Sequence, residues 1–260
     1  MFLITDILQP QVLAAEKDFL IVYKPPRMHS VPLARSAGGE TILDWCSAGF
    51  PEIMALPGRR AGEGGLLHRL DYETHGLMLL ARNGEGMEAL LAQQREGKIR
   101  KEYSALAAKS NAPTPGFPLE GPSDWFFTAE DNTKGPFKIT SAFRPYGPGR
   151  KAVRPVLTAS PKNKKQGELY TTEVLGSGPV SAEDIPFLLS FRLRISRGFR
   201  HQIRSHLAWL CAPIINDSLY GGLSFGKGLL GLRACLIAFN DPSSGEERCY
   251  SISFLDPAEI

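Results

Sequence analysis

The chain has 260 residues, 43% of them hydrophobic and 22% charged, so it can bury a substantial core and is too balanced in composition for a disordered or coiled-coil protein. Its net charge is only +3, and Cys46, Cys211, Cys235 and Cys249 form no C-x-x-C pair, which excludes a zinc ribbon or a disulfide framework and fits a reducing, cytoplasmic setting. No apolar run approaches membrane-spanning length, and the opening MFLITDILQP has Asp6 inside its apolar stretch and no basic flank, unlike a secretory leader.

Phe19 to Tyr23 is a β-branched and aromatic run that stops at Lys24-Pro25-Pro26, which predicts a strand entering a proline-stiffened loop through Met28, His29 and Pro32. Thr41 is placed to cap a helix through Trp45 and Cys46 that Gly49 and Pro51 end. After a glycine-rich loop comes GGLLHRLDYETHGLMLLAR, Gly64 to Arg82. It sets His68, Arg69 and Asp71 between two apolar segments, and Leu77 to Leu80 reads as a strand buried on both faces. Asp71 is then an acid on a loop that feeds a core strand. Taken as lone residues, Asp71 and Thr74 could make a simple turn with Arg69 as a surface charge. His68, Asp71 and His75 could also be metal ligands, although H-x-x-D-x-x-x-H has no defined zinc spacing and Arg69 would stand beside the ion.

Asn83 predicts the cap of a helix with Met87, Leu90 and Leu91 on one face and Gly97 past its end. Ile99 to Ala108 alternates as a strand with Tyr103 in it. Residues 111 to 167 are rich in proline, glycine and lysine and predict short strands on long loops, with a firm turn at Gly147-Pro148-Gly149. Tyr170 to Leu175 is a strand. Phe187 to Ile195 predicts a central strand with Phe187, Leu189, Phe191, Leu193 and Ile195 facing in and Arg192 and Arg194 facing out. Ile203, Leu207 and Leu210 then recur at helical spacing. Charge is unevenly spread: Asn132 to Gly167 holds nine Lys or Arg and no acid, and Ile185 to Asn216 holds five Arg and no acid. Two such blocks in a nearly neutral chain fit a binder of phosphate backbones.

Several stretches together are similar to one family. HRLDYETHGLMLLAR resembles the HRLD-x-x-T-x-G-L-L-L-x-A-K motif of the RluA-type pseudouridine synthases, in which the aspartate is catalytic. DFLIVYKPPRMHSVP resembles the family's first motif, with Arg27 where a glycine is usual, and KEYSAL resembles its K-x-Y-x-A-L. RGFRHQIRSHLAWLCAPIINDSLYG resembles T-G-R-x-H-Q-I-R-x-H-L-x-x-x-G-x-P-I-x-G-D-x-x-Y-G. It departs at Arg197 for threonine, at Phe199 for arginine with Arg200 one place later, and at Cys211 and Asn216 for glycines. The closing Arg233 to Pro242 is similar to the family's last strand. Only about twenty residues precede the first motif, too few for the S4-type RNA-binding domain many relatives carry.

The resemblance implies an α+β fold, a mixed and mostly antiparallel sheet flanked by helices with a central cleft, as one catalytic domain over 1–260 with a basic insertion at about 111–168. It implies isomerisation of a uridine in ribosomal or transfer RNA by Asp71, Tyr103 and Arg204. Arg204 would hold Asp71 ionised, since arginine stays charged and pairs at two points. Tyr103 would stack on the uracil. Arg69 would fill the gap left by a flipped base, and His68, Arg200, His201 and Gln202 would contact RNA. No cofactor, metal or membrane is required, and the expected state is a monomer in the cytoplasm. A non-catalytic RNA-binding protein is the alternative, and a nuclease using a metal on His68, Asp71 and His75 is a third reading.

Overall fold

The computed structural model describes every residue except 33–39, 59–60, 111, 120–135, 158–166, 182–184 and 186. Its strands are β1 (Gln11–Ala15), β2 (Phe19–Lys24), β3 (His75–Ala81), β4 (Arg100–Ala108), β5 (Phe137–Tyr146), β6 (Ala152–Val156), β7 (Tyr170–Pro179), β8 (Leu188–Ile195), β9 (Leu232–Asn240) and β10 (Glu247–Ser251). The helices are α1 (Ile42–Gly49), α2 (Gly84–Arg95) and α3 (Gln202–Trp209). The chain divides into two compact units, Met1–Glu102 with Arg233–Phe254, and Tyr103–Leu232 with Leu255–Ile260.

In the first unit the strands run in the order β1, β2, β3, β9, and β10 pairs with β9. β3 and β9 are parallel, and the other pairs are antiparallel, so the sheet is mixed. Every residue of β2 and β3 is buried, as expected for runs apolar on both faces. The parallel contact of β3 with β9 pairs His75 with Arg233 and Gly76 with Ala234. It requires glycine: Gly76 has φ +124°, and a Cβ there would stand 2.2 Å from the Ala234 carbonyl oxygen. Phe19 and Phe239 meet edge to face at 4.9 Å in the core below. Thr41 caps α1 in a reciprocal capping box with Asp44, and Asn83 caps α2 through the Gly86 N–H.

In the second unit the order is β4, β8, β7, β5, β6. β5 and β6 form a hairpin closed at Gly147-Pro148-Gly149, so the stretch expected to hold short strands carries a ten-residue one. All eight residues of α3 are buried, because each polar one has a partner. Gln202 Nε2 donates to the Thr171 carbonyl and the Thr172 hydroxyl, and Ser205 Oγ donates to the Val153 carbonyl. His206 bridges Ser141 Oγ at 3.0 Å and Thr172 Oγ1 at 2.8 Å. Burial pushes its pKa down to about 3, so it stays neutral.

The mixed, mostly antiparallel sheet with few helices is the α+β class implied by the sequence. One local expectation is corrected. Phe187 does not face in: it precedes β8 at φ +67° and is 69% exposed. β4 is the strand expected from Ile99 to Ala108, and eight of its nine residues are buried, so both of its faces are covered. Three departures from the family pattern also acquire a physical sense. Arg27, Cys211 and Asn216 stand where glycine is usual, and all three have positive φ, of 58°, 55° and 62°. Asn216 offsets the strain by hydrogen bonds to Phe225 and Leu229.

Candidate active site

Two buried side chains in the first unit build the loop that carries Asp71. Lys24 ends β2 with no exposed surface, and its ammonium donates to the carbonyls of Pro25 (2.9 Å), Met28 (2.7 Å) and Tyr72 (3.3 Å). Ser30 Oγ donates to the Leu70 carbonyl at 2.8 Å and accepts from the Leu70 N–H at 3.1 Å. Loop 25–30 and loop 68–74 are thus stitched at two points, and Asp71 lies between the two pinned residues of its loop. Thr74 N–H closes a turn on the Asp71 carbonyl at 3.1 Å. The turn from Asp71 to Thr74 is therefore closed through the backbone.

The flanking groups are tied down in turn. His68 Nε2 accepts the Leu79 N–H at 3.3 Å, and His75 Nε2 accepts from Arg233 Nε at 3.0 Å. One lone pair of each histidine is therefore committed, and among the described residues no group of three His, Cys, Asp or Glu could hold a metal. Arg69 is half exposed and reaches Glu63 at 3.3 Å, and Arg27 reaches Glu73 at 3.7 Å.

Burial pushes the Lys24 pKa down to about 7, against the opposing pull of Asp71 and Glu73. A buried cation thus sits within electrostatic reach of the candidate acid. Sequence reasoning gave Lys24 only a strand-ending role, although a lysine closing an all-apolar strand was a visible signal. We expect its side-chain NMR resonance to titrate near pH 7, and a midpoint above 9 would contradict the geometry. The unfolded chain keeps this lysine protonated to about 10.5 and so binds more protons between pH 7 and 10.5, so the group's contribution to stability must rise with pH across that window. Comparing the pH dependence of unfolding for the wild type and Lys24→Met measures it.

The second unit holds the other predicted residues. Tyr103 is buried on β4. Arg204, on α3, donates from Nε and Nη2 to the two carboxylate oxygens of Asp217 at 2.6 and 2.7 Å, a buried two-point pair. The Tyr220 ring lies 5.4 Å from that guanidinium, and the Tyr220 hydroxyl accepts from Val153 N–H and meets His201 Nδ1 at 3.2 Å. His201 caps α3 in the left-handed region, and burial, helped by Arg204 and Arg200, pushes its pKa to about 3. Gln202 spends its amide on Thr171, Thr172 and the Phe199 N–H. Arg200 donates to the carbonyls of Arg150 and Ala152. Asp217, which sequence reasoning quoted without a role, therefore orients the arginine singled out above. In the basic block, Lys138 and Arg194 both reach Glu173, and Arg197 pairs with Glu168. Lys134, Lys162, Lys164 and Lys165 lie outside the described residues.

Among the described residues no helix is long and apolar enough to cross a membrane. Residues 18–209 match the family described as RNA pseudouridylate synthase. Ribosomal large subunit pseudouridine synthase D of Haemophilus ducreyi is 30% identical over 207 residues, which are 80% of this chain and 51% of that protein. The protein of that name from Vibrio parahaemolyticus is 26% identical over 252 residues, 92% of this chain and 65% of that one. The chain thus spans about half to two thirds of the length of these curated relatives. Human RNA pseudouridylate synthase domain containing 1 shares the fold, with a TM-score of 0.61 at 18% identity over 97% of this chain and 85% of that one.

Proposed function

The chain belongs to the RNA pseudouridylate synthase family, and from that membership we propose that it isomerises a uridine in structured RNA to pseudouridine, with Asp71 as the catalytic residue. The observation that carries this reading is the Asp71 loop, an acid held between backbone pins at Leu70 and Tyr72 with its own carbonyl closing the turn. The reaction breaks the bond from C1′ to N1 of uracil and forms one from C1′ to C5. The C5 proton leaves and N1 ends protonated, so atoms and electrons balance without a cofactor. A carboxylate must stay ionised in a closed pocket, and nearby cations oppose the desolvation that would neutralise it. Lys24 is one such cation. Arg204 is the proposed second, with Asp217 setting the plane of its guanidinium. Tyr103 stacks on the uracil and assists loss of the C5 proton, and Arg69 fills the space of the flipped base.

The relatives named for the large ribosomal subunit make ribosomal RNA the first substrate to assay, with transfer RNA second. We propose a monomeric, cytoplasmic enzyme working as a single catalytic domain, whose basic segment 111–168 adds affinity for RNA. Mapping pseudouridine across total RNA from cells with and without the gene tests the activity, and an unchanged map would reject it. A non-catalytic RNA binder would bind RNA without altering that map. For the basic segment, neutralising Lys162, Lys164 and Lys165 together should weaken RNA binding. The log-log salt slope should fall by roughly 0.7 to 0.9 for each phosphate no longer neutralised, with turnover at saturating RNA nearly unchanged. An unaltered slope would show that these lysines do not touch RNA.

A further inference from the structure

We propose that Tyr72, backed by His29, is a stacking platform for the RNA base next to the target uridine, an interaction that rests on the RNA-modifying role proposed above. Tyr72 directly follows Asp71 and is 42% exposed, although Leu70, two residues earlier, is buried. Its ring lies 4.5 Å from the His29 ring with a tilt of 36°. An exposed aromatic ring gains little for folding by facing water, yet this one is held firmly. The Lys24 ammonium grips the Tyr72 carbonyl on one loop and the Met28 carbonyl on the other. Ser30, next to His29, grips Leu70 through both its carbonyl and its N–H. The stitches that fix Asp71 therefore also fix the platform, and acid and ring keep a constant offset.

The surroundings identify the occupant. Arg69 and Arg27 stand on the same two loops with side chains about half exposed; Arg27 reaches Glu73 at 3.7 Å in a surface ion pair of little strength, and Arg69 reaches the buried Glu63 at 3.3 Å. An aromatic face with cations beside it is the footprint of unpaired nucleic acid, because every base offers a π-face and every link a negative charge. His29 packs against the Tyr72 ring at a tilt, and a base would stack on the part of the ring that stays exposed. Flipping a uridine out strips its neighbours of their stacking partner, and a ring beside the acid would replace it.

The test uses the full-length protein and, as probe, unmodified total RNA from cells lacking the gene. RNA affinity, kcat, KM and thermal stability are measured for Tyr72→Phe, Tyr72→Leu and Tyr72→Ala. Tyr72→Ala and Tyr72→Leu should lose affinity by about 5- to 150-fold, the range for removing one base stack, with unchanged melting temperature, and Tyr72→Phe should restore most of it. In Tyr72→Trp the new indole emission should be quenched by RNA whether or not turnover occurs. Wild-type affinity in Tyr72→Ala, or leucine serving as well as phenylalanine, would overturn the platform and leave a loop brace. So would an unquenched indole. A defect confined to ribosomal particles, with naked RNA bound normally, would indicate a protein interaction and equally overturn it. A wild type that binds RNA but makes no pseudouridine would reject the enzymatic reading, while the quenching result would still decide the platform.

Discussion

Asp71→Asn abolishes pseudouridine formation, with kcat lowered by at least about 10⁴-fold, the order reached when a catalytic nucleophile is removed, while RNA affinity stays within a few fold. The fold should survive the change. What holds the loop is the Ser30 hydroxyl on Leu70, the Lys24 ammonium on the Tyr72 carbonyl, and the Asp71 carbonyl under the Thr74 N–H. None of these uses the Asp71 carboxylate. Its removal takes away one of the two acids whose pull opposes the desolvation of Lys24, so the lysine should lose its proton at lower pH in the variant than in the wild type. Titration of Lys24 in both proteins therefore reports independently that Asp71 is charged and near. Retained turnover in Asp71→Asn would sink the mechanism, and an unmoved Lys24 titration would sink the electrostatic account of the site.

What could be read from the sequence follows the physics of burial. β2 and β3 were legible because a strand covered on both faces must be apolar throughout, and Thr41 and Asn83 because a cap depends on one side chain at one position. β1 and β10 were not foreseen: QVLAA and ERCYS sit at sheet margins with mixed burial and carry little periodic signal. Phe187 was misplaced because period-two alternation cannot reveal that the first residue of the run takes positive φ and leaves the strand. Arg27, Cys211 and Asn216 looked like weak matches when read as letters. As backbone conformations they agree with the pattern, since each takes the left-handed geometry for which glycine is usual.

The site shows the same division. A motif can put His68, Arg69 and Asp71 on one loop, but nothing in the letters says what pins it. Lys24 and Ser30 lie about forty residues or more earlier, and their partners are backbone carbonyls and an N–H, which no side-chain pattern reveals. Likewise the stretch around Gln202 looked like an RNA-facing helix start. In the structure its amide is enclosed by Thr171, Thr172 and Phe199. A polar residue in a family motif can thus be the packing that keeps a helix buried.

Arg204→Lys is expected to be a severe catalytic mutant although it keeps the charge. Asp217 accepts from both Nε and Nη2, and its Oδ1 also takes the Leu219 N–H at 3.2 Å, so it is built around a planar fork. A lysine can replace one of those two bonds. The missing charge-assisted hydrogen bond should cost about 1.5–3 kcal/mol of stability, which unfolding in denaturant would read. That loss alone would show only that the pair is structural. The catalytic claim concerns the enzyme that remains folded: with the cation displaced from its fixed plane, kcat should fall about 10²-fold while RNA affinity holds. Asp217→Asn separates the two roles, because it leaves Arg204 in place and removes what orients it. If Arg204 acts on the acid, Asp217→Asn lowers kcat in the same direction as Arg204→Lys, and Lys24→Met does so through the loop instead. If both α3 variants are less stable yet turn over at the wild-type rate when folded, Arg204 serves only the fold. If Arg204→Lys is near normal and Arg200→Lys is not, the cation that matters is Arg200.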